Sequence, residues 1–157
     1  MKISAFHLMP HRELPDDFEK LPLYLQMGCI PVMSGMPPFG YWEKREEGSR
    51  IPPHRTDAGV FLSAEFLGSR RAIFIKDEDG LYTDDPKKNP AATRIPRIAA
   101  RDLVELNVND LVIERVVVEY LPRSRWCKEL HIVNGLVPGQ VLAALRGDDS
   151  IGTIISA

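Results

Sequence analysis

Arg71-Ala-Ile-Phe-Ile-Lys-Asp-Glu-Asp-Gly-Leu-Tyr-Thr-Asp-Asp-Pro86 carries the reading of the whole chain. Ala72 to Ile75 form a short continuous apolar run, the pattern of a strand covered on both faces of a parallel sheet. Asp79-Gly80 then lets the backbone turn with φ > 0 at little steric cost, and Asp84-Asp85-Pro86 makes a second corner. In an open α/β sheet, ligands sit in the crevice beyond the carboxyl ends of the strands. A turn at that edge, carrying a lysine, several carboxylates and a tyrosine, suits a nucleotide. Taken alone, Asp-Gly between apolar runs is also the signature of a plain hairpin turn.

Outward from this stretch, strands and helices alternate. Thr56-Asp57 opens a helix: Thr56 is placed to cap its free N–H groups, Asp57 complements the dipole, and Val60, Phe61, Ala64 and Leu67 recur at helical spacing. Gly68 ends it. The N-terminus of such a helix is a ready anion site, although a capped amphipathic helix without ligand reads the same way. A short helix is expected around Ala99 to Leu106. Ile113, Val116, Val117, Tyr120 and Leu121 share a helical face that Pro122 breaks, although the valine run is also strand-like. Glu129 to Asn134 is a strand turning at Gly135. Pro138 to Gly147 holds a short helix with proline early and glycine after its end, and Ile151 to Ser156 is the last strand. The alternation argues an α/β sandwich around a mainly parallel sheet.

The N-terminal side is different in character. Lys2 to Met9 fits a strand and Pro10 to Asp17 a polar connection, whereas Cys29 to Ser34 reads as a strand with Pro31 near its start. Gly35-Met-Pro-Pro-Phe-Gly-Tyr-Trp-Glu43 and Ser49-Arg-Ile-Pro-Pro-His-Arg55 form a long proline- and aromatic-rich connection, the composition of a rigid binding loop.

Bulk properties narrow the function classes. The 157 residues suffice for one domain with a real core, or for half of a larger one. A net charge of −2, with acids and bases interspersed, argues against a nucleic-acid surface. No apolar run approaches ~20 residues, so no segment spans a bilayer, and His7, Pro10 and His11 interrupt any signal-peptide core. A cytoplasmic protein is expected. Cys29 and Cys127 stand far apart without Cys-x-x-Cys spacing and read as two buried free thiols.

Lys76-Asp-Glu-Asp-Gly-Leu-Tyr-Thr-Asp-Asp-Pro-Lys87 resembles the adenine-nucleotide loop of the amino-acid-kinase fold, which includes uridylate kinases and molybdenum storage proteins. Ser34-Gly-Met-Pro-Pro-Phe39, Ile51-Pro-Pro-His-Arg-Thr-Asp-Ala-Gly59, Val133-Asn-Gly-Leu-Val-Pro-Gly139 and Gly152-Thr-Ile-Ile155 extend the likeness over residues 21–157. Together they are more similar to the storage subunits than to the uridylate kinases. The resemblance implies the C-terminal, nucleotide-binding half of a three-layer amino-acid-kinase sandwich in a homo- or hetero-oligomer. It implies ATP with Mg2+ as cofactors, and molybdate or polyoxomolybdate as cargo.

By position, the likeness assigns Lys76, Asp79, Gly80, Tyr82 and Asp85 to the nucleotide. Tyr82 would lie against base or ribose, Asp85 would accept from ribose hydroxyls and Lys76 would border the base. It assigns Thr56 and Asp57 to the phosphate end, and His54 and Arg55 to the oxoanion cavity. A guanidinium can fork onto an oxoanion and an imidazole can bond or ligate one; a plain loop histidine is the other reading of His54. No catalytic residue and no metal ligand is singled out.

Two departures qualify that expectation. Family members hold the triphosphate on glycine-rich loops of their N-terminal half, with a lysine after the first strand, and no Lys-x-Gly-Gly occurs here. Residues 1–20 instead resemble the opening of a luciferase-like flavin monooxygenase, and are read as a segment unrelated to the remainder. The chain is thus expected to carry the base and ribose side of a site without its phosphate side, with little catalysis alone. A uridylate-kinase-like phosphotransferase and a non-catalytic remnant or interaction module are the alternatives.

Overall fold

The computed structural model describes residues 14–31, 55–106 and 111–157. The strand expected over Lys2–Met9, residues 32–34 of the strand expected over Cys29–Ser34, and the connection through residues 35–54 lie outside the described residues, and His54 with them. Cys29 to Pro31 carry no strand, and of the two free thiols expected to be buried only Cys127 is, Cys29 being half-buried. A helix, α1 (Leu14–Gln26), begins inside the segment read as a polar connection, despite Pro22 in its interior.

Six further segments build the body around two sheets. Strands β1 (Arg71–Lys76), β5 (Glu129–Asn134), β6 (Thr153–Ser156) and β4 (Arg97–Ala99) lie side by side in the order β1-β5-β6-β4. β1 runs parallel to β5 and β4 parallel to β6, whereas β5 and β6 are antiparallel. The sheet is therefore mostly parallel. β2 (Leu81–Tyr82) and β3 (Arg94–Ile95) form a separate antiparallel ribbon. Sequence periodicity shows neither this ribbon nor β4, because two or three residues are too few to display a period of two.

Helices cover both faces. α2 (Thr56–Phe66), α3 (Ala100–Glu105) and α4 (Arg115–Tyr120) pack on one side. Ala58 and Phe61 of α2 meet Ala72 and Phe74 of β1, Leu130 and Ile132 of β5, Leu103 of α3 and Val117 and Val118 of α4 in one buried cluster. Strand alternation turns His131, Val133 and Ile154 to the opposite face, where α5 (Gln140–Leu145) packs against β5 and β1. Pro122 converts the end of α4 into a single 3-10 turn, Leu121–Arg123.

The apolar run of β1 is not covered on both faces as its composition suggests. Ala72 and Phe74 are buried, but Ile73 is half-buried and Ile75 is 57 % exposed. Among the described residues β1 is an edge strand, paired with β5 alone.

α2 is fastened at both ends by carboxylates. Near its C-terminus, Glu65 accepts the N–H groups of Arg125 (2.6 Å), Trp126 (3.0 Å) and Cys127 (2.8 Å). Its N-terminus is held differently from the sequence expectation. The capping position is Arg55 and makes no side-chain cap; Thr56 is already helical and exposed. The buried Glu114 carboxylate instead accepts the N–H groups of Arg55 (2.8 Å), Asp57 (3.0 Å) and Ala58 (3.4 Å).

Candidate functional site

Because β6 runs against β5, the carboxyl ends of β1 and β5 meet the amino end of β6 at one edge of the sheet. Beyond Lys76 the chain turns at residues 77–80, enters the β2–β3 ribbon and leaves a pocket of ≈ 580 Å³. That volume lies within the range of small-molecule sites. Leu81, Tyr82, Leu103, Leu111 and Val112 supply an apolar wall, while Asp77, Glu78, Asp84, Asp85 and Lys87 supply a polar one.

Gly80 is needed where it stands. Its φ is +129°, and a Cβ there would sit 2.4 Å from the Thr153 hydroxyl oxygen. The turn it permits is gripped from the sheet: the Asn134 side-chain amide donates to Asp79 at 2.9 Å, and the Leu81 N–H donates to Thr153 Oγ1 at 2.8 Å.

The acidic corner is a locally closed hydrogen-bond system. Asp84 accepts the Asn89 side-chain amide and the Asp85 N–H, both at 2.8 Å. Asp85 accepts the Lys87 N–H at 2.9 Å and pairs with Lys88 at 2.9 Å. The bond from Asn89, with that from the Asp85 N–H, holds the Asp84 carboxyl below its ordinary value. The bond from Lys88, with that from the Lys87 N–H, does the same for Asp85. Lys87 pairs with Glu78, and that hydrogen bond raises the lysine. Both aspartates are therefore charged at neutral pH, acceptors ready for hydroxyl groups.

Of the residues singled out in the sequence, Gly80, Tyr82 and Asp85 line this pocket. Tyr82 is half-buried and faces Arg94 across the ribbon. Asp79 braces the turn through Asn134. Lys76 points its ammonium at Asp57, 2.8 Å from each carboxylate oxygen, and does not line the pocket. Asp57 also accepts the Glu114 N–H at 3.0 Å, so Asp57 and Glu114 cap each other's helices. The anion site expected at the start of α2 is thereby filled by the protein's own Glu114. Arg55 is half-exposed, 3.8 Å from that carboxylate.

Sequence reasoning missed Glu114 and Thr153 as parts of the site. Glu114 acts on groups 57 residues away, which no local pattern encodes. Thr153 had one signal: it follows Gly152 in a motif already noted for its family likeness. Among the described residues no three His, Cys, Asp or Glu side chains converge as metal ligands.

Comparison with known proteins matches residues 3–119 to the amino acid kinase family. The chain belongs to that family. Molybdenum storage protein subunit beta of Azotobacter vinelandii is 44 % identical over 137 residues, covering 87 % of this chain and 50 % of that protein. A uridylate kinase of Pyrococcus abyssi is 36 % identical over 104 residues, covering 66 % of this chain and 40 % of the kinase. The crystal structure of UMP kinase from Bacillus anthracis superposes with a TM-score of 0.72 at 20 % identity, over 99 % of this chain and 58 % of that one. The chain thus spans about half the length of the relatives it matches, and its fold is that of the amino acid kinases. Among the described residues no helix is long and apolar enough to cross a membrane.

Proposed function

We propose that this chain is the nucleotide-binding half of a storage-type amino acid kinase subunit, taking the base and ribose of ATP into the pocket beyond β1. The observation that carries this reading is the coincidence of Gly80, Tyr82 and Asp85 in one pocket of ≈ 580 Å³ at the carboxyl edge of the sheet. The Tyr82 ring offers a face for the base, Leu103, Leu111 and Val112 close around it, and the charged Asp85 accepts from ribose hydroxyls. Magnesium enters as the counter-ion of the bound phosphates.

ATP-dependent accumulation of molybdate is the finer form of this proposal. It draws on the 44 % identity to the Azotobacter storage subunit and assigns the oxoanion to His54 and Arg55. Thr56 and Asp57 belong to the phosphate end in this reading, and Lys76, which the likeness sets at the border of the base, is bonded to Asp57 instead. The internal Glu114 cap and the lack of a Lys-x-Gly-Gly sequence both argue that phosphoryl transfer needs groups supplied beyond this chain's own pocket. The proposed setting is a cytoplasmic oligomer. UMP phosphorylation is the competing reading, favoured by the 36 % identity to a uridylate kinase.

Calorimetric titration of the full chain with ATP and magnesium tests the pocket. Saturable binding, weakened about tenfold by Tyr82→Ala as expected for loss of one base–aromatic stack, supports it. Binding that Tyr82→Ala leaves unchanged would move the nucleotide elsewhere. ATP-driven molybdate retention, against transfer from ATP to UMP, separates the storage reading from the kinase one.

A further inference from the structure

Two motifs far apart in sequence, Asp79-Gly80-Leu81-Tyr82 and Gly152-Thr153, meet at the pocket wall. We infer that Thr153 is the positioning residue of this pocket, its hydroxyl setting where the Tyr82 strand stands relative to the sheet. The inference rests on the nucleotide reading of the pocket, which it deepens.

Thr153 is fully buried. Its hydroxyl accepts the Leu81 N–H at 2.8 Å and donates to the Ile95 carbonyl at 2.6 Å. Leu81 and Ile95 are direct partners across the β2–β3 ribbon, so one hydroxyl clips both strands to the start of β6. Both polarities of the hydroxyl are used, one as acceptor and one as donor. The residue after Leu81 is Tyr82, and the residue before Ile95 is its partner Arg94. Tyr82, which lines the pocket, and its cross-strand partner Arg94 therefore each stand one residue from the clip.

The approach is close enough that only glycine fits beside it. A Cβ on Gly80 would collide with the hydroxyl itself, at 2.4 Å. A Cβ on Gly152, at φ +64°, would lie 2.0 Å from the Ile132 carbonyl oxygen. The surrounding loop is anchored as well: Arg94 donates to the carbonyls of Gly152 and Ser150, and the His131 ring Nε2 lies 2.8 Å from the Ile151 carbonyl. The residues before Thr153 are held by charged and aromatic side chains, and the ribbon in turn is held by Thr153. Without the hydroxyl the ribbon has a buried N–H and a carbonyl to satisfy, and its lowest-energy response is to shift toward water.

Thr153→Val keeps the shape and removes the hydroxyl; Thr153→Ser keeps the hydroxyl. The first readout needs no ligand. Amide exchange at Leu81, Tyr82 and Thr83 is expected to quicken by at least about tenfold in Thr153→Val, with β1 and β5 unchanged, and to return toward the wild-type rate in Thr153→Ser. Unchanged protection in Thr153→Val would overturn the inference. The second readout is ATP affinity, expected to fall about tenfold in Thr153→Val and to recover in Thr153→Ser. Glu65→Ala, which removes the acceptor of the Arg125, Trp126 and Cys127 N–H groups away from the pocket and from the loop before β6, separates positioning from plain destabilisation. Equal loss of affinity in Glu65→Ala and Thr153→Val would overturn the positioning role. A wild-type chain that binds no ATP would refute the nucleotide reading, and the exchange data would still decide whether Thr153 sets the wall.

Discussion

Single residues in this protein are constrained most where the backbone passes close to itself. Gly152 and Gly139 both have positive φ, +64° and +91°, yet they differ in surroundings. A side chain at 152 meets the Ile132 carbonyl at 2.0 Å, while nothing lies within 4 Å of the position a Cβ would take at 139. Gly139→Ala is expected to cost about 1 kcal/mol, the strain of a left-handed alanine. Gly152→Ala adds a backbone collision and is expected to cost at least about 3 kcal/mol, or to prevent folding. Urea unfolding of the two variants checks this, and equal costs would show that conformation alone, not close approach, selects glycine at 152. The sequence displayed both glycines equally; the distinction comes from which strand lies beneath.

At the scale of elements, the decisive device is the exchange of caps between α2 and α4. Glu114 accepts three N–H groups at the start of α2, and Asp57 accepts the Glu114 N–H while holding Lys76. Charged acceptors on helix N-termini complement the helix dipole and satisfy otherwise orphaned donors. Glu114→Ala leaves those donors, of which the Ala58 N–H is buried and the others partly so, without an acceptor and is expected to cost about 2–4 kcal/mol. Glu114→Gln keeps an acceptor oxygen and is expected to cost roughly half as much. Since the two carboxylates act as a unit, the Asp57→Ala, Glu114→Ala double variant should cost less than the sum of the singles by about 1 kcal/mol or more. Additive costs in a thermal-unfolding cycle would mean that the two caps are independent. Thr56, the residue that local rules nominate as the cap, is instead exposed, because a long-range carboxylate reaches the same N–H groups first.

Across the whole molecule, an alternating set of charges ties the loop before β6 to the sheet. Arg71 bonds to Glu129 at 2.6 Å and to Asp149 at 2.8 Å, and Arg97 reaches the same two carboxylates at 3.3 Å and 3.1 Å. Burial pushes the Glu129 carboxyl up, but the hydrogen bonds and charges of Arg71 and Arg97 outweigh it and leave the group below its ordinary value. The Arg71 hydrogen bond likewise lowers Asp149. A carboxyl that is more acidic when folded binds its proton less readily than in the unfolded chain. Between the two values the unfolded state therefore holds more protons, and acid favours unfolding. The stabilisation is present at neutral pH and is expected to fade from about pH 5 downward, as pH drops through the folded values. Glu129→Gln should flatten this acid limb in denaturant titrations at successive pH values; an unaltered slope would show that other carboxylates govern it. Screening keeps the exposed Asp149 and Arg97 contacts weak, so most of the effect is assigned to the Arg71–Glu129 pair.

Much of this architecture is written locally. The bounds of β5, the α2 and α5 helices, the turn at Gly80 and the break at Pro122 all follow from periodicity and from the stereochemistry of glycine and proline. These features depend on residues within a few positions of one another, and such short-range constraints are legible in one dimension. The partial exposure of β1, the short β2–β3 ribbon, the Glu114 cap and the Thr153 clip were decided only in three dimensions. Each depends on a donor meeting an acceptor, or a strand meeting its neighbour, across tens of residues. Ile75 has the same side chain whether a partner covers it or not, and the Thr153 hydroxyl becomes a clip only because Gly80 and Gly152 let two distant backbones close to hydrogen-bonding distance.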